Sequence, residues 1–290
     1  MEMLIGLFQQ NFVQNAFLAG TIVALIAAVT GYFVVLRAQA FAGHALSHIG
    51  FAGAAAAALL GISSLLGTFA FTLLASLGMG ALGERVRGRD VEIGMVLSFA
   101  LGLGVLFLKL YTGQGAQTVN ILFGSILSVT RSDVLIMLAS GSGTLLLLAV
   151  IFRPLLFASI DPEVALARGV PVRLLSLLFL LLLAITVSEA VLVVGVLLTF
   201  ALLVAPAAAA VNLTRRPGVA VALSVVLGLL FTWGGLFLAF IGHWPVSFYI
   251  AALSALFYFL SLRLNHLRKP RRYTPLPHPC REHLSATGPL

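Results

Sequence analysis

The stretch LLSLLFLLLLAITVSEAVLVVGVLLTFALLVAPAAAAV, residues 174–211, decides the fold class. Its only acid is Glu189 and it holds no base. About 20 apolar residues cross a bilayer as one helix, so this run accommodates two. The charge marks the expected turn: helices over 172–188 and 190–212, with Glu189 between them at the outer face. A carboxylate there either draws cations towards an outer mouth or lies in an exposed turn. Pro206 interrupts the second helix, which removes one backbone hydrogen bond and kinks or breaks it.

Working outward, similar runs cover 15–36, 39–60, 63–81, 91–111, 133–152, 218–241 and 246–263. The chain is 61% hydrophobic and 9% charged, whereas a soluble domain carries about 25% charged residues. The expected fold is therefore all-α: a polytopic membrane bundle of eight or nine helices. An eight-helix version makes one run re-entrant or interfacial. The roughly 10-residue alternating segments of a membrane β-barrel do not occur. The N-terminus has an acid and no basic region, which reads against a cleavable secretory signal.

The net charge of +8 does not read as a nucleic-acid surface, because the basic residues punctuate the spans. Arg37, Arg85, Arg87, Arg89, Arg153, Arg168, Arg173, Arg215, Arg216 and the cluster from Arg263 to Arg272 fall in alternate connections. The other connections hold only Arg131. Basic residues mark the cytoplasmic side, so nine crossings place the N-terminus outside and the C-terminus inside. The organisation expected is a transmembrane domain over 1–263 and a disordered, proline-rich cytoplasmic tail over 264–290.

Two connections carry structure of their own. Residues 111–133 are glycine-rich and half apolar, and read as a re-entrant or interfacial helix on the outer side. On the inner side, 159–173 reads as a short helix: Asp161 as N-cap, Pro162 at the first position, Gly169 as the stop. The small-residue runs Ala54–Ala58 and Ala207–Ala210 favour close helix approach.

Within FAGHALSHIGFAGAA, residues 41–55, His44 and His48 stand four apart. That spacing puts both on one helix face. Counted from Arg37, they lie ~10 and ~16 Å inward at ~1.5 Å per residue. Imidazoles at that depth face a bundle interior or an aqueous path and suit Zn²⁺ or other transition metals, though a pair can also relay protons. Two ligands leave a zinc site incomplete, which suits a transporter that must release its ion. Gln39 and Ser47 are nearby polar candidates. His243, beside Trp244, reads as an interface anchor. His278, Cys280 and His283 in the tail are a weaker metal candidate, and Cys280, the single cysteine, excludes an internal disulfide. No phosphate loop, HExxH or nucleophile elbow occurs, so ATP hydrolysis, if it drives transport, belongs to another polypeptide and this chain is not an enzyme.

Four segments resemble the permeases of bacterial zinc/manganese ABC transporters: VVLRAQAFAGHALSHIGFAGAA, ILFGSIL, DPEVALARGVPVR and VGVLLTFALLVAPAAAAVNLT, in that order over about residues 15–263. The resemblance implies a homodimer in the inner membrane, a cytoplasmic ATPase on each copy, and an outer solute-binding protein delivering metal. It implies that 161–169 is a coupling helix, with Asp161, Glu163 and Gly169 in capping and docking roles. His48 matches the family's histidine and His44 its aspartate. Imidazole in place of carboxylate shifts the expectation from Mn²⁺ towards Zn²⁺, as transported substrate rather than resident cofactor. The rival readings are a permease for a metal chelate and an ion-coupled secondary transporter without an ATPase.

Overall fold

The computed structural model describes residues 11–81, 89–111, 124, 129–242 and 245–268. The described chain is helical throughout: α1 (Asn11–Leu36), α2 (Ala40–Leu60), α3 (Ser64–Ala81), α4 (Arg89–Leu110), α5 (Arg131–Ile160), α6 (Pro162–Ala167), α7 (Val172–Val194), α8 (Val196–Leu213), α9 (Pro217–Gly242) and α10 (Val246–Arg268). Among the described residues, eight helices are long and apolar enough to span a membrane, and α8 contributes a shorter apolar stretch, Leu198–Leu213. The re-entrant helix expected within 111–133, His243, and the tail bearing His278, Cys280 and His283 lie outside the described residues, apart from Gly124 and the ends of that loop. Helix α10 runs to Arg268, past the boundary expected at 263.

Long-range hydrogen bonds show which helix ends lie together. Asn11 bonds Arg131, Asn15 bonds the Val129 carbonyl, and Ser247 bonds the Val194 carbonyl at one end. Arg37 reaches Ser159 and Ser176, and Asn212 reaches Ser261, at the other. Helix α8 therefore runs from one end of the bundle to the other. This second end also carries Arg153, Arg168, Arg173, Arg215, Arg216 and Arg263. Helix α5, at 30 residues, is ~45 Å long at 1.5 Å per residue and exceeds a ~30 Å hydrocarbon core. It passes Arg153 and Pro154 without stopping, and Arg153 is exposed.

The turn expected at Glu189 is not there. Helix α7 continues through Ser188, Glu189 and Ala190, all buried, and ends at Gly195. Gly195 adopts φ 91°, ψ 162°, a region essentially reserved for glycine. Its carbonyl then starts α8, accepting from the Thr199 amide at 3.1 Å and the Thr199 hydroxyl at 2.7 Å. Gly124 closes over this break: a Cβ there would collide with the backbone of Val194 and Gly195. Pro206 sits inside a helix that continues to Leu213.

Helix α7 is the hub of the bundle. Thr186 bonds Thr30 of α1 at 3.1 Å, Ser188 bonds Thr72 of α3 at 2.6 Å, and Ser140 of α5 donates to Glu189 at 2.5 Å. The apolar surroundings cannot supply directional contacts, so polar side chains fix the register, each contributing about 0.6 kcal/mol on average in membranes. Helices α2 and α3 meet through glycine. A Cβ on Gly53 would strike the Gly67 carbonyl, and a Cβ on Gly67 would strike both the Gly53 carbonyl and Ala57. Gly31 of α1 lies as closely against the Leu203 carbonyl of α8. Both small-residue runs thus pack as the sequence implies: Ala54–Ala57 and Ala207, Ala209 and Ala210 are buried.

Candidate metal path

His44 and His48 project from α2 into contact with one another. Their ring centroids are 4.7 Å apart and their planes stand at 81°. His44 also meets Phe200 of α8 edge-on, at 5.4 Å between centroids. Each imidazole is half-buried, so the pair is fixed on one side by α8 and open on another. A Cβ on Gly43, beside His44, would lie 2.9 Å from the Leu203 side-chain end on α8, a contact that a shift of that leucine relieves.

The neighbouring polar residues do not join the pair. Ser47 is fully buried and donates to the Gly43 carbonyl of its own helix at 3.0 Å. Gln39 stands at the N-cap position of α2 without a side-chain cap bond, and its buried Oε1 has no partner among the described residues. No group of three or more His, Cys, Asp or Glu side chains able to hold a metal occurs among the described residues. One chain thus offers two nitrogens of the four ligands a tetrahedral ion takes.

Glu189 stands apart from the histidines. On α7, Ser188 faces α3 through Thr72, and Val191 lies 3.6 Å from the Cβ position of Gly50 on α2. Glu189 turns the other way, to Ser140 of α5. The residue is wholly buried and its Oε2 has no hydrogen-bond partner among the described residues. It is therefore not an exposed turn but a buried link between α5 and α7. Glu189→Ala removes the cross-helix bond from Ser140, whose hydroxyl still lies 2.7 Å from the Ile136 carbonyl of its own helix, and is expected to lower stability by about 0.5–1.5 kcal/mol. Metal uptake per folded complex should stay within about twofold of wild type, because surface and core changes away from a site act through abundance. A radiometal uptake assay normalised to permease level checks this, and a loss of uptake at full abundance would return Glu189 to the metal path.

The short helix α6 forms as its punctuation predicts. Asp161 Oδ1 accepts from the Val164 amide at 3.0 Å, Pro162 occupies the first turn, and Gly169 takes φ 79°. Ala165 is its buried anchor, while Glu163, Val164, Leu166 and Arg168 are exposed. Val164 and Leu166 are 43% and 65% exposed. They follow the end of α5 and form an exposed apolar pair, the kind of surface that marks an interaction site.

Sequence reasoning missed two participants. Phe200, which braces His44, lies in a featureless apolar run and carries no signal of its own. Arg37 read only as a marker of the membrane border, yet it bonds inward.

A bundle of long apolar helices, with a half-complete imidazole set between two of them and a capped apolar helix at its arginine-rich end, defines a membrane transport subunit. The particular family follows from comparison: the chain belongs to the ABC 3 transport family, whose model matches residues 9–265. It is 32% identical over 236 residues to the manganese transport system membrane protein MntC of Halalkalibacterium halodurans, covering 81% of each chain. It is 31% identical to the manganese import system permease protein ScaB of Streptococcus parasanguinis, covering 96% of this chain and 99% of that one. Among solved structures, PsaBC from Streptococcus pneumoniae in complex with Fab superposes with a TM-score of 0.81 at 30% identity, over 90% of this chain and 94% of that one. The chain is a permease of the ABC transporter class and a multi-pass protein of the bacterial plasma membrane.

Proposed function

We propose that this chain is the permease subunit of an importer for a divalent transition metal, with Zn²⁺ the preferred substrate. The observation that carries this reading is the His44–His48 contact pair, braced by Phe200 and lacking a third ligand among the described residues. A second copy of the chain supplies the missing two imidazoles, so the ion is held on the axis between protomers and released when they part. Relatives named for manganese support metal import as such. The donor set here favours zinc, because neutral imidazole suits Zn²⁺ whereas Mn²⁺ prefers carboxylate, carbonyl and water oxygens.

The arginine-rich end faces the cytoplasm by the distribution of basic residues. There α6 docks on a separate ATPase through Glu163, Val164 and Leu166, with Asp161 and Gly169 fixing its two ends. A solute-binding protein delivers the ion at the opposite end.

The discriminating experiment is ATP hydrolysis by the reconstituted complex with Zn²⁺ and Mn²⁺ compared side by side. Stimulation by zinc exceeding that by manganese is the expected result. Stimulation by manganese alone overturns the zinc assignment, and stimulation by neither ion overturns metal import.

A further inference from the structure

We propose that Arg37 is the positioning residue that couples α6 to the histidine-bearing helix α2. The proposal rests on the reading of α6 as the ATPase-docking helix. Arg37 follows the last residue of α1, and α2 begins at Ala40. Its Nη1 donates to Ser159 Oγ at 3.3 Å and its Nη2 to Ser176 Oγ at 2.6 Å. Its guanidinium carbon lies 5.7 Å from the centre of the Phe179 ring. Ser159 is two residues before Asp161, the cap of α6, and Ser176 is in the opening turns of α7, just after α6. One guanidinium therefore holds both the segment that enters α6 and the segment that leaves it.

The same residue holds the start of α2. The chain turns sharply after Arg37, with Ala38 at φ 52°, the only positive φ on a non-glycine residue among those described. An alanine in the left-handed region is strained by the clash of its Cβ with the following carbonyl oxygen, so its surroundings must impose it. The Arg37 amide closes on the Phe33 carbonyl at 2.9 Å and the Gln39 amide on the Val34 carbonyl at 2.9 Å, which lock the turn. His44 follows one turn into α2. A shift of α6 that drags Ser159 and Ser176 thus reaches the first imidazole through one side chain and one rigid turn.

An arginine that only marks the membrane border extends its head group to water. Arg37 does the opposite, being half-buried and bonded to two hydroxyls within the bundle. The Ser159 hydroxyl donates onward to the Leu155 carbonyl at 2.5 Å, which turns its lone pairs towards Arg37. The two acceptors lie on different helices, α5 and α7, a geometry that a planar fork spans and an ammonium does not.

The test measures transport and ATP hydrolysis in the same vesicles, holding the permease, its ATPase and its binding protein, with Zn²⁺ and Mn²⁺ each as the probe ion. In Arg37→Gln the ATPase should co-purify in normal stoichiometry and hydrolyse ATP within about twofold of wild type, while ions moved per ATP fall about tenfold. Ser159→Ala/Ser176→Ala should shift the same ratio about threefold, and combining it with Arg37→Gln should add little, as expected for members of one network. Arg37→Lys should restore part of the ratio. An unchanged ratio in Arg37→Gln overturns the proposal, as does a parallel fall in transport and hydrolysis, the mark of a merely structural role. Should Arg37→Gln fail to assemble, the double-serine variant decides by the same ratio. Leu166→Asp separates this inference from the reading it rests on. If Leu166→Asp keeps its ATPase, the docking assignment of α6 fails. If it loses the ATPase while the Arg37 and serine variants stay coupled, only the role of Arg37 fails.

Discussion

Uptake of zinc by cells that lack other zinc importers is expected to fall at least about 100-fold in His44→Ala/His48→Ala. Loss of a residue that merely orients a metal ligand typically costs 10- to 100-fold in affinity, and this variant removes the ligands themselves. The protein should still fold. Both imidazoles are half-buried and have no hydrogen-bond partner among the described residues that their removal would strand, and the apolar contact with Phe200 is one edge-on ring pair. Abundance in the membrane should therefore stay near wild type while uptake is lost. Uptake equal to wild type would show that the ion passes elsewhere. His48→Ala alone should cost nearly as much as the pair, because four imidazoles reduced to two no longer outcompete water and binding protein for the ion.

The second large effect is structural. Gly67→Leu is expected to destabilise the protein by about 3 kcal/mol or more, at the upper end of what overpacking costs. The backbones of α2 and α3 touch at Gly53 and Gly67, and any Cβ at Gly67 meets the Gly53 carbonyl and Ala57. No flexible side chain is available to yield, so one helix must move, and α2 carries the histidines. Thermal unfolding of the purified permease, followed by intrinsic fluorescence, measures the loss. Gly102→Ala is the control: it faces open space on α4, and should lie within about 0.5 kcal/mol of wild type. Equal stability of the two variants would contradict the packing at this crossing.

How far the sequence led depends on the range of the forces involved. The membrane class and the positions of the helices were legible because hydropathy is summed over whole runs. Helix α6 was legible because its caps are local: Asp161, Pro162 and Gly169 each act within a turn. The turn assigned to Glu189 was misplaced, because a lone acid in an apolar run looks like a loop. Its partner Ser140 is 49 residues away, a distance at which no pattern in the run itself speaks. The break lies instead at Gly195, the one residue there that tolerates φ 91°. The end of α5 was set too early for a related reason. Arg153 and Pro154 read as a stop, but the helix carries both and continues to Ile160. The histidine pair was legible as a spacing, whereas its brace Phe200 was not, since the contact joins α2 to a helix more than 150 residues further along the chain.

The most direct measurement is X-ray absorption at the zinc edge of the reconstituted dimer, combined with metal counting by mass spectrometry. One zinc per two chains is predicted, with about four nitrogen ligands at ~2.0–2.1 Å, and with both signals lost in His44→Ala/His48→Ala. One zinc per chain, or a coordination shell that the double variant leaves intact, would contradict a site shared between the histidine pairs of two protomers.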